Sequence, residues 1–218
     1  TFQKENPSQY FSHSKKRSVY LKYSKMMEKI YTDDFKLPKK VFYNSEIIDF
    51  GAGTGDNTLH FANWGAKCTL VEMNSIAVKI AKKIFNKYAK NKHKHNFFHS
   101  SIFDFKGKKK YDIVKCTGVL SHTAAKEKAF AKIAQLVKPG GFLHFGDQTK
   151  SGEFQNMLQR HALYKFTQDP ERMVEICEYL FKNDIDRSQK AVPRTRRAII
   201  FDRWVIQQQD DPSIKEVM

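Results

Sequence analysis

Three glycines at alternate positions, Gly51, Gly53 and Gly55, follow an aspartate, Asp49, in the stretch IIDFGAGTGD at 47–56. A glycine turn between a strand and a helix brings backbone N–H groups up to a ligand. Dinucleotides use such a turn in the form GxGxxG, with the pyrophosphate on the helix N-terminus. Here the third glycine falls one position early, and the slot a dinucleotide needs holds Asp56. A carboxylate at that place repels a pyrophosphate. Asp49, at the strand end, likewise welcomes a cation more than a phosphate.

A second acid stands at Glu72 in TLVEMN, 23 residues after Asp49. That offset is close to the roughly 20 residues expected of the acid that takes ribose hydroxyls at the end of a second strand. A ligand with a ribose, a cationic end and no phosphate satisfies both acids, and S-adenosylmethionine has these properties. His122, in GVLSHT just past a fourth strand, is the best candidate base, with packing at the pocket rim as the other reading. Asp147, at the end of a fifth strand, either orients a substrate or caps the following helix. His93, His95 and His99 in NKHKHNFFHS have the look of a ligand cluster, but HxH in a lysine-rich loop reads as a solvated turn, so no metal is expected. Cys116, inside a strand, reads as a small core residue. Arg194, Arg196 and Arg197 form either an anion clamp or a solvated basic loop.

The elements that must position these groups follow from periodicity. Residues 14–31 carry apolar and aromatic side chains at helical spacing, and TDDFKLPKK reads as a loop. Strands are expected at 46–50, 68–72, 97–99, 111–117 and 141–145. Helices are expected at 58–64, at 75–88 with Ser75 as N-cap, and at 124–137, stopped by LVKPGG. Strand–helix alternation with short connections argues an open, doubly wound, mostly parallel α/β sheet. After Asp147 the pattern changes to two helices, 153–166 and 169–184, and a basic loop at 193–197. AIIFDRWVI at 198–206 fits either a strand or a bent core segment. Three parts result: an N-terminal helical segment at 1–44, the ligand-binding core at 45–149 and a helical region at 150–218.

The chain's 218 residues are enough for one domain with a full core, and 40% are hydrophobic. No apolar run approaches the ~20 residues that cross a bilayer, and TFQKENPSQYFSHSKKRS has no signal-peptide core. Three cysteines without a CxxC imply neither zinc nor a disulfide framework, and a reducing cytoplasm. The net charge of +16 invites a nucleic-acid partner. Against this, the lysines read as dispersed, alongside frequent Asn and Ile, the pattern of AT-rich codons.

With these motifs in place the chain resembles the class I S-adenosylmethionine-dependent methyltransferases, a Rossmann-like family. IIDFGAGTGD is similar to their first motif, LVEMN to the acidic second-strand motif and FFHSSIFDF to the adenine-side loop. YDIVKCTGVLSHT resembles the fourth-strand motif and LVKPGGFLHFGD the segment into the fifth strand. The five motifs run in order over 45–147. The resemblance implies that Asp49, Gly51, Ala52, Gly53, Thr54 and Gly55 line the methionine part of the cofactor. It implies that Glu72 holds the ribose and Met73 packs on the adenine. Ser101 stands where many members have an aspartate, so Ser101 or the Ile102 backbone would meet the adenine, with Asp104 the nearest carboxylate. Thr117 and Gly118 lie where cofactor and substrate meet.

GVLSHT resembles the branch of small-molecule methyltransferases with GVLHHT-like motifs, and no Asn/Asp-Pro-Pro-Tyr/Phe or Pro-Cys stands at the fourth strand. The expected activity is therefore methyl transfer to N or O of a small-molecule acceptor, leaving S-adenosylhomocysteine. An RNA methyltransferase and a non-catalytic binding subunit are the alternatives. The 150–192 helices would cover the substrate, through Arg160 and Tyr164. DDPSIKEVM opens a further helix that stops at Met218, which suggests a fragment whose last strands follow.

Overall fold

The computed structural model describes residues 17–123, 125–147, 150–191 and 195–205. Residues 1–16, residues 192–194 with Arg194, and the DDPSIKEVM segment lie outside the described residues. Five strands, β1 (Glu46–Phe50), β2 (Lys67–Glu72), β3 (Asn96–His99), β4 (Tyr111–Thr117) and β5 (Val137–Gly146), make one sheet. All neighbours are parallel and the order is β3-β2-β1-β4-β5. The order reverses between β1 and β4, and in open α/β sheets the ligand crevice lies outside the strand ends at that point. β1 and β2 are buried on both faces, which is why they read as near-continuous apolar runs.

The described residues fall into two compact units. The sheet unit takes in the described part of Tyr10–Val119 together with Glu127–Gly146; Leu120–Lys126 and the residues from Asp147 onward form the helical unit. In the sheet unit, α1 (Arg17–Lys29) runs into a π-helical turn, Ile30–Asp34. The helix expected over 14–31 therefore ends in a wider turn that takes up the first residues of the expected loop. α2 (Asp56–Asn63) and α3 (Ser75–Tyr88) follow the first two strands. Their apolar faces meet Ile47, Cys68, Leu70 and Ile113 in one core cluster with Tyr20, Tyr31, Phe42 and Phe61. The side chain capping α3 is Asn74, whose Oδ1 accepts from the N–H groups of Ile76 and Ala77, so Ser75 is the first helical residue rather than the cap. α4 (Lys126–Ala134) is shorter than expected, and Phe130 sets its ring edge-on to Phe145 with centroids 5.0 Å apart. Leu136 and Val137, expected near the helix end, already lead into β5. Between Val137 and Phe142 the β4–β5 register slips. Pro139 lacks the N–H a ladder needs, so the chain bulges there.

Parallel register aligns a polar row across the core face of the sheet. Asp49 pairs with Lys115 on β4, and Lys115 with His144 on β5. Asp49 is 1% and Lys115 4% exposed, and the ammonium lies 3.0 Å from Asp49 Oδ2. His144 Nδ1 is 2.8 Å from the buried Tyr31 hydroxyl. His60 of α2 is fully buried among Tyr31, Phe61 and Trp64, and neither ring nitrogen has a hydrogen-bond partner among the described residues.

The helical unit contains α5 (Lys150–Phe166), α6 (Pro170–Leu180), α7 (Lys182–Ala191) and α8 (Arg196–Ile200), the last continued by a π-helical turn, Phe201–Val205. The single helix expected over 169–184 is two, broken at Phe181, and α6 is capped by Asp169 with Pro170 at its first position. AIIFDRWVI is helical through Val205, not a strand: Ile200 and Trp204, and Phe201 and Val205, repeat at i,i+4 and sit in the helical core. Phe181 stacks on Trp204 at 5.0 Å. Arg196 is held by Glu178 at 2.7 Å and by Asp186, and Arg197 by Glu171 at 2.6 Å, so these two arginines form neither a clamp nor a solvated loop. The free cysteines Cys68, Cys116 and Cys177 are all buried. Among the described residues no helix is long and apolar enough to cross a membrane.

Two outcomes follow for stability. Lys115→Met leaves the Asp49 carboxylate buried without its cation, a loss of about 3–5 kcal/mol in urea unfolding. The double variant with Asp49→Asn should recover most of that loss; a double variant as unstable as the single would show that the two charges are not coupled.

The second concerns acid. Burial, reinforced by the Lys115 charge, lowers His144 to about 4 and holds His60 well below its ordinary value. Both folded values are below the unfolded one of about 6.5, so below that pH the unfolded chain binds more protons than the folded chain. The stabilisation is complete above about pH 6.5 and is lost as pH falls toward 4. The urea midpoint should drop through that window, and His60→Phe should make the drop shallower.

Candidate functional site

β1 ends at Phe50, and the next five residues turn on glycines in left-handed conformation. At Gly51 (φ 67°) a Cβ would lie 2.2 Å from Val119 Cγ2, so both the conformation and the approach of the segment after β4 require glycine. Gly53 (φ 54°) differs: a Cβ there meets no atom within 4 Å, and its N–H donates to Glu72 Oε2 at 2.8 Å. The turn thus presents an open face at Gly53. Ala52 is buried and fixed to β2 through Val71. The Thr54 hydroxyl donates to Asp56 Oδ2 at 3.0 Å, and Asp56 opens α2, where the helix dipole favours an acid.

Glu72 is 6% exposed at the end of β2. Its second oxygen, Oε1, accepts from the Asn74 N–H at 2.8 Å. One carboxylate therefore joins the glycine turn to the cap of α3. Each oxygen retains acceptor capacity, since a carboxylate offers about four lone-pair sites. A diol approaching over Gly53 finds the group already oriented.

Asp49 accepts from the Thr58 hydroxyl at 2.5 Å and from Lys115 Nζ. Lys115 also donates to Thr117 Oγ1 at 3.0 Å, which ties the end of β4 to the end of β1. Gly118 (φ 67°) is open on its Cβ side. Met73 is 57% exposed, and its carbonyl lies 3.0 Å from His99 Nε2. The Ser101 hydroxyl donates to Asp104 at 2.6 Å and accepts from the Asp104 N–H, while Ile102 is buried. All of the expected cofactor residues lie in the sheet unit, at or just after the C-terminal ends of the strands.

The remaining candidates belong to the helical unit. His122 closes a 3₁₀ turn, Leu120–His122, and its Nδ1 is buried without a partner among the described residues. Asp147 pairs with Lys126 at 3.4 Å. Arg160 is buried in α5, with a guanidinium nitrogen 3.4 Å from the Arg203 carbonyl, and Tyr164 packs on the helical core.

Sequence reasoning missed Lys115, Thr58 and the Tyr31–His144 pair. A signal for Lys115 exists: it is the one charged residue among the core-face positions Ile113, Lys115 and Thr117 of a central strand. His95 corrects the view of the histidine loop as solvated. It is buried, its Nδ1 accepts from the Cys68 N–H at 3.1 Å, and its Nε2 lies 2.8 Å from the Lys90 carbonyl. Among the described residues no group of three or more acidic, histidine or cysteine side chains is placed to hold a metal ion.

Among curated relatives, the mitochondrial ubiquinone biosynthesis O-methyltransferase of Schizosaccharomyces pombe is 27% identical over 105 residues, 48% of this chain and 38% of that protein. The ubiquinone biosynthesis O-methyltransferase of Escherichia fergusonii is 25% identical over 146 residues, 63% of this chain and 60% of that protein. The aligned parts thus span less than two thirds of these relatives' length. A solved S-adenosylmethionine-dependent methyltransferase from Thiobacillus denitrificans, in complex with S-adenosylhomocysteine, is 16% identical with a TM-score of 0.46, over 56% of this chain and 51% of that one. A family model described as a methyltransferase domain matches residues 23–181, from α1 through the glycine turn and Glu72 to the end of α6. The chain belongs to this methyltransferase-domain family.

Proposed function

We propose that the sheet unit holds S-adenosylmethionine over the Gly51–Gly55 turn and that the protein moves its methyl group to an O or N atom of a small-molecule acceptor. The observation that carries this reading is Glu72, fixed by the Gly53 and Asn74 N–H groups beside an open glycine face. The donor set fits a phosphate-free cation: Glu72 accepts from the Gly53 N–H and Asp56 from the Thr54 hydroxyl, two carboxylates on the turn, whereas the Asp49 carboxylate is neutralised by buried Lys115. The acceptor class is supported by the relatives, which are named for O-methylation in ubiquinone biosynthesis.

When bound, the cofactor supplies a methyl on a sulfonium, a carbon already activated for in-line displacement. What remains for the chain is largely orientation. Glu72 receives the ribose hydroxyls, and the open face at Gly53 lets the ligand approach the backbone. The Lys115 contacts to Asp49 and Thr117 hold the ends of β1 and β4 in register beneath the turn. An acceptor that carries its proton into the reaction needs a base. His122, five residues past β4 with a ring nitrogen that has no partner among the described residues, is assigned that part.

The test is calorimetric titration with S-adenosylhomocysteine and with NAD, plus a screen of small-molecule acceptors that reads S-adenosylhomocysteine release. S-adenosylhomocysteine should bind and NAD should not. Glu72→Ala should weaken binding by ~1–3 kcal/mol, as expected for lost hydrogen bonds to a charged group. Tighter binding of NAD, or an unchanged constant in the variant, would overturn the reading. His122→Ala should lower turnover at least about 100-fold for a hydroxyl acceptor while leaving cofactor affinity nearly intact. Equal turnover in both proteins would remove His122 from the chemistry.

A further inference from the structure

The charge of the chain is not evenly spread. Residues 73–110 hold eleven lysines and one aspartate, a net +10 out of the chain's +16. The other 180 residues, more than four fifths of the chain, carry the remaining +6. A uniform codon bias does not place charge in this way.

In the sheet unit most of this segment is α3 and the loop that leads from it to β3. α3 buries Ala77, Val78, Ala81, Ile84 and Phe85 in the core. Its exposed positions from Lys79 onward are Lys79, Lys82, Lys83, Asn86 and Lys87. Lys79, Lys83 and Lys87 repeat at i,i+4, which puts neighbours about 5–6 Å apart on one face. The row continues into the loop with Lys90, Lys92 and Lys94, all exposed. That loop is pinned. Buried His95 bridges the Cys68 N–H and the Lys90 carbonyl, and the Lys90 N–H donates to Asn63 Oδ1 at 3.1 Å. Asn91 takes the left-handed turn between them.

Among the described residues none of these seven lysines forms an ion pair. Basic groups elsewhere do: Lys39 with Glu28, Lys109 and Lys138 with Glu46, Lys126 with Asp147. Like charges at i,i+4 destabilise a helix. The face therefore carries a repulsion that an external polyanion relieves and that no carboxylate among the described residues does.

We infer that this lysine face docks the phosphate backbone of a nucleic acid. Spaced cations without acids suit a regularly charged polymer, where each neutralised phosphate releases a counterion. An anionic membrane suits the face less well. From Lys79 to Lys94 the exposed side chains are only Lys, Asn and His; the exposed apolar residues Met73 and Ile76 stand at the other end of α3, so the lysine row itself offers no apolar group to a lipid interface. The docking face is independent of which acceptor the glycine-turn site serves.

The test is fluorescence anisotropy with a labelled single-stranded RNA and a labelled duplex DNA, between about 50 and 200 mM KCl. Affinity should fall steeply with salt; about five neutralised phosphates on a single strand give a log–log slope near −3.5. The relative affinities of the two probes identify which nucleic acid the face prefers. Lys82→Glu/Lys83→Glu/Lys87→Glu should weaken binding at least about tenfold and flatten the slope. Lys22→Glu/Lys25→Glu/Lys29→Glu on α1 changes the net charge equally and should cost less than about threefold. Thermal melting checks the fold of each, and Lys82→Gln/Lys83→Gln/Lys87→Gln repeats the first test with a milder change. Equal losses in the two Glu triples would reduce the effect to net charge and overturn the proposal. So would absent binding to both probes at low salt, or binding to phosphatidylserine vesicles without binding to either nucleic acid.

Discussion

Glu72 is the contact on which the site depends. Its two oxygens accept from Gly53 and from Asn74, one on the turn after β1 and the other on the cap after β2. Those N–H groups lie at strand and helix ends, where backbone donors have no partner within regular structure. Without the carboxylate both loops must find other acceptors at a buried place. With it, the spacing between β1 and β2 and the start of α3 are set by one side chain. Ligand recognition and loop architecture then share a single group, so changes there affect both.

Beneath this joint lies a polar layer that is unusual for the core of a parallel sheet. Asp49, Lys115 and His144 stand side by side because register makes them cross-strand neighbours, and Tyr31 reaches the last of them from the N-terminal segment. Such a layer is costly to assemble and fixes register more tightly than apolar packing does, since a slip strands charges. It also explains why the N-terminal segment groups with the sheet: α1 adds Tyr20 against Asn63, and Tyr31 is edged by Phe35, Phe42, Phe61 and Trp64.

Strand positions, the glycine turn and the acid at 72 were legible because each rests on local periodicity or on a turn that only glycine makes. Helix ends were less legible. Asn74 and Ser75 are both good caps, and only geometry shows that Asn74 reaches two N–H groups. AIIFDRWVI was ambiguous because its apolar residues satisfy alternation and i,i+4 spacing together; burial of Trp204 beside Phe181 decides for the helix. The role of His95 was not legible at all, since its partners, Cys68 and Lys90, come from different elements. The lysines of α3 could be counted in the sequence, but their pinned continuation through Lys94 could not.

The three cysteines have a practical consequence. Cys68 and Cys116 sit inside the sheet unit and Cys177 inside the helical unit, each with less than 1% of its surface open to solvent. Burial drives the Cys68 thiol far up from its ordinary range and pushes Cys177 up to about 12. None of the three thiols is accessible in the native state, so modification by an alkylating reagent must wait for the surrounding structure to open. The rate at which each cysteine is labelled is therefore a clock for the opening of its own unit. Because the two units carry separate thiols, peptide-resolved labelling times them independently in one sample, with no probe added to the chain.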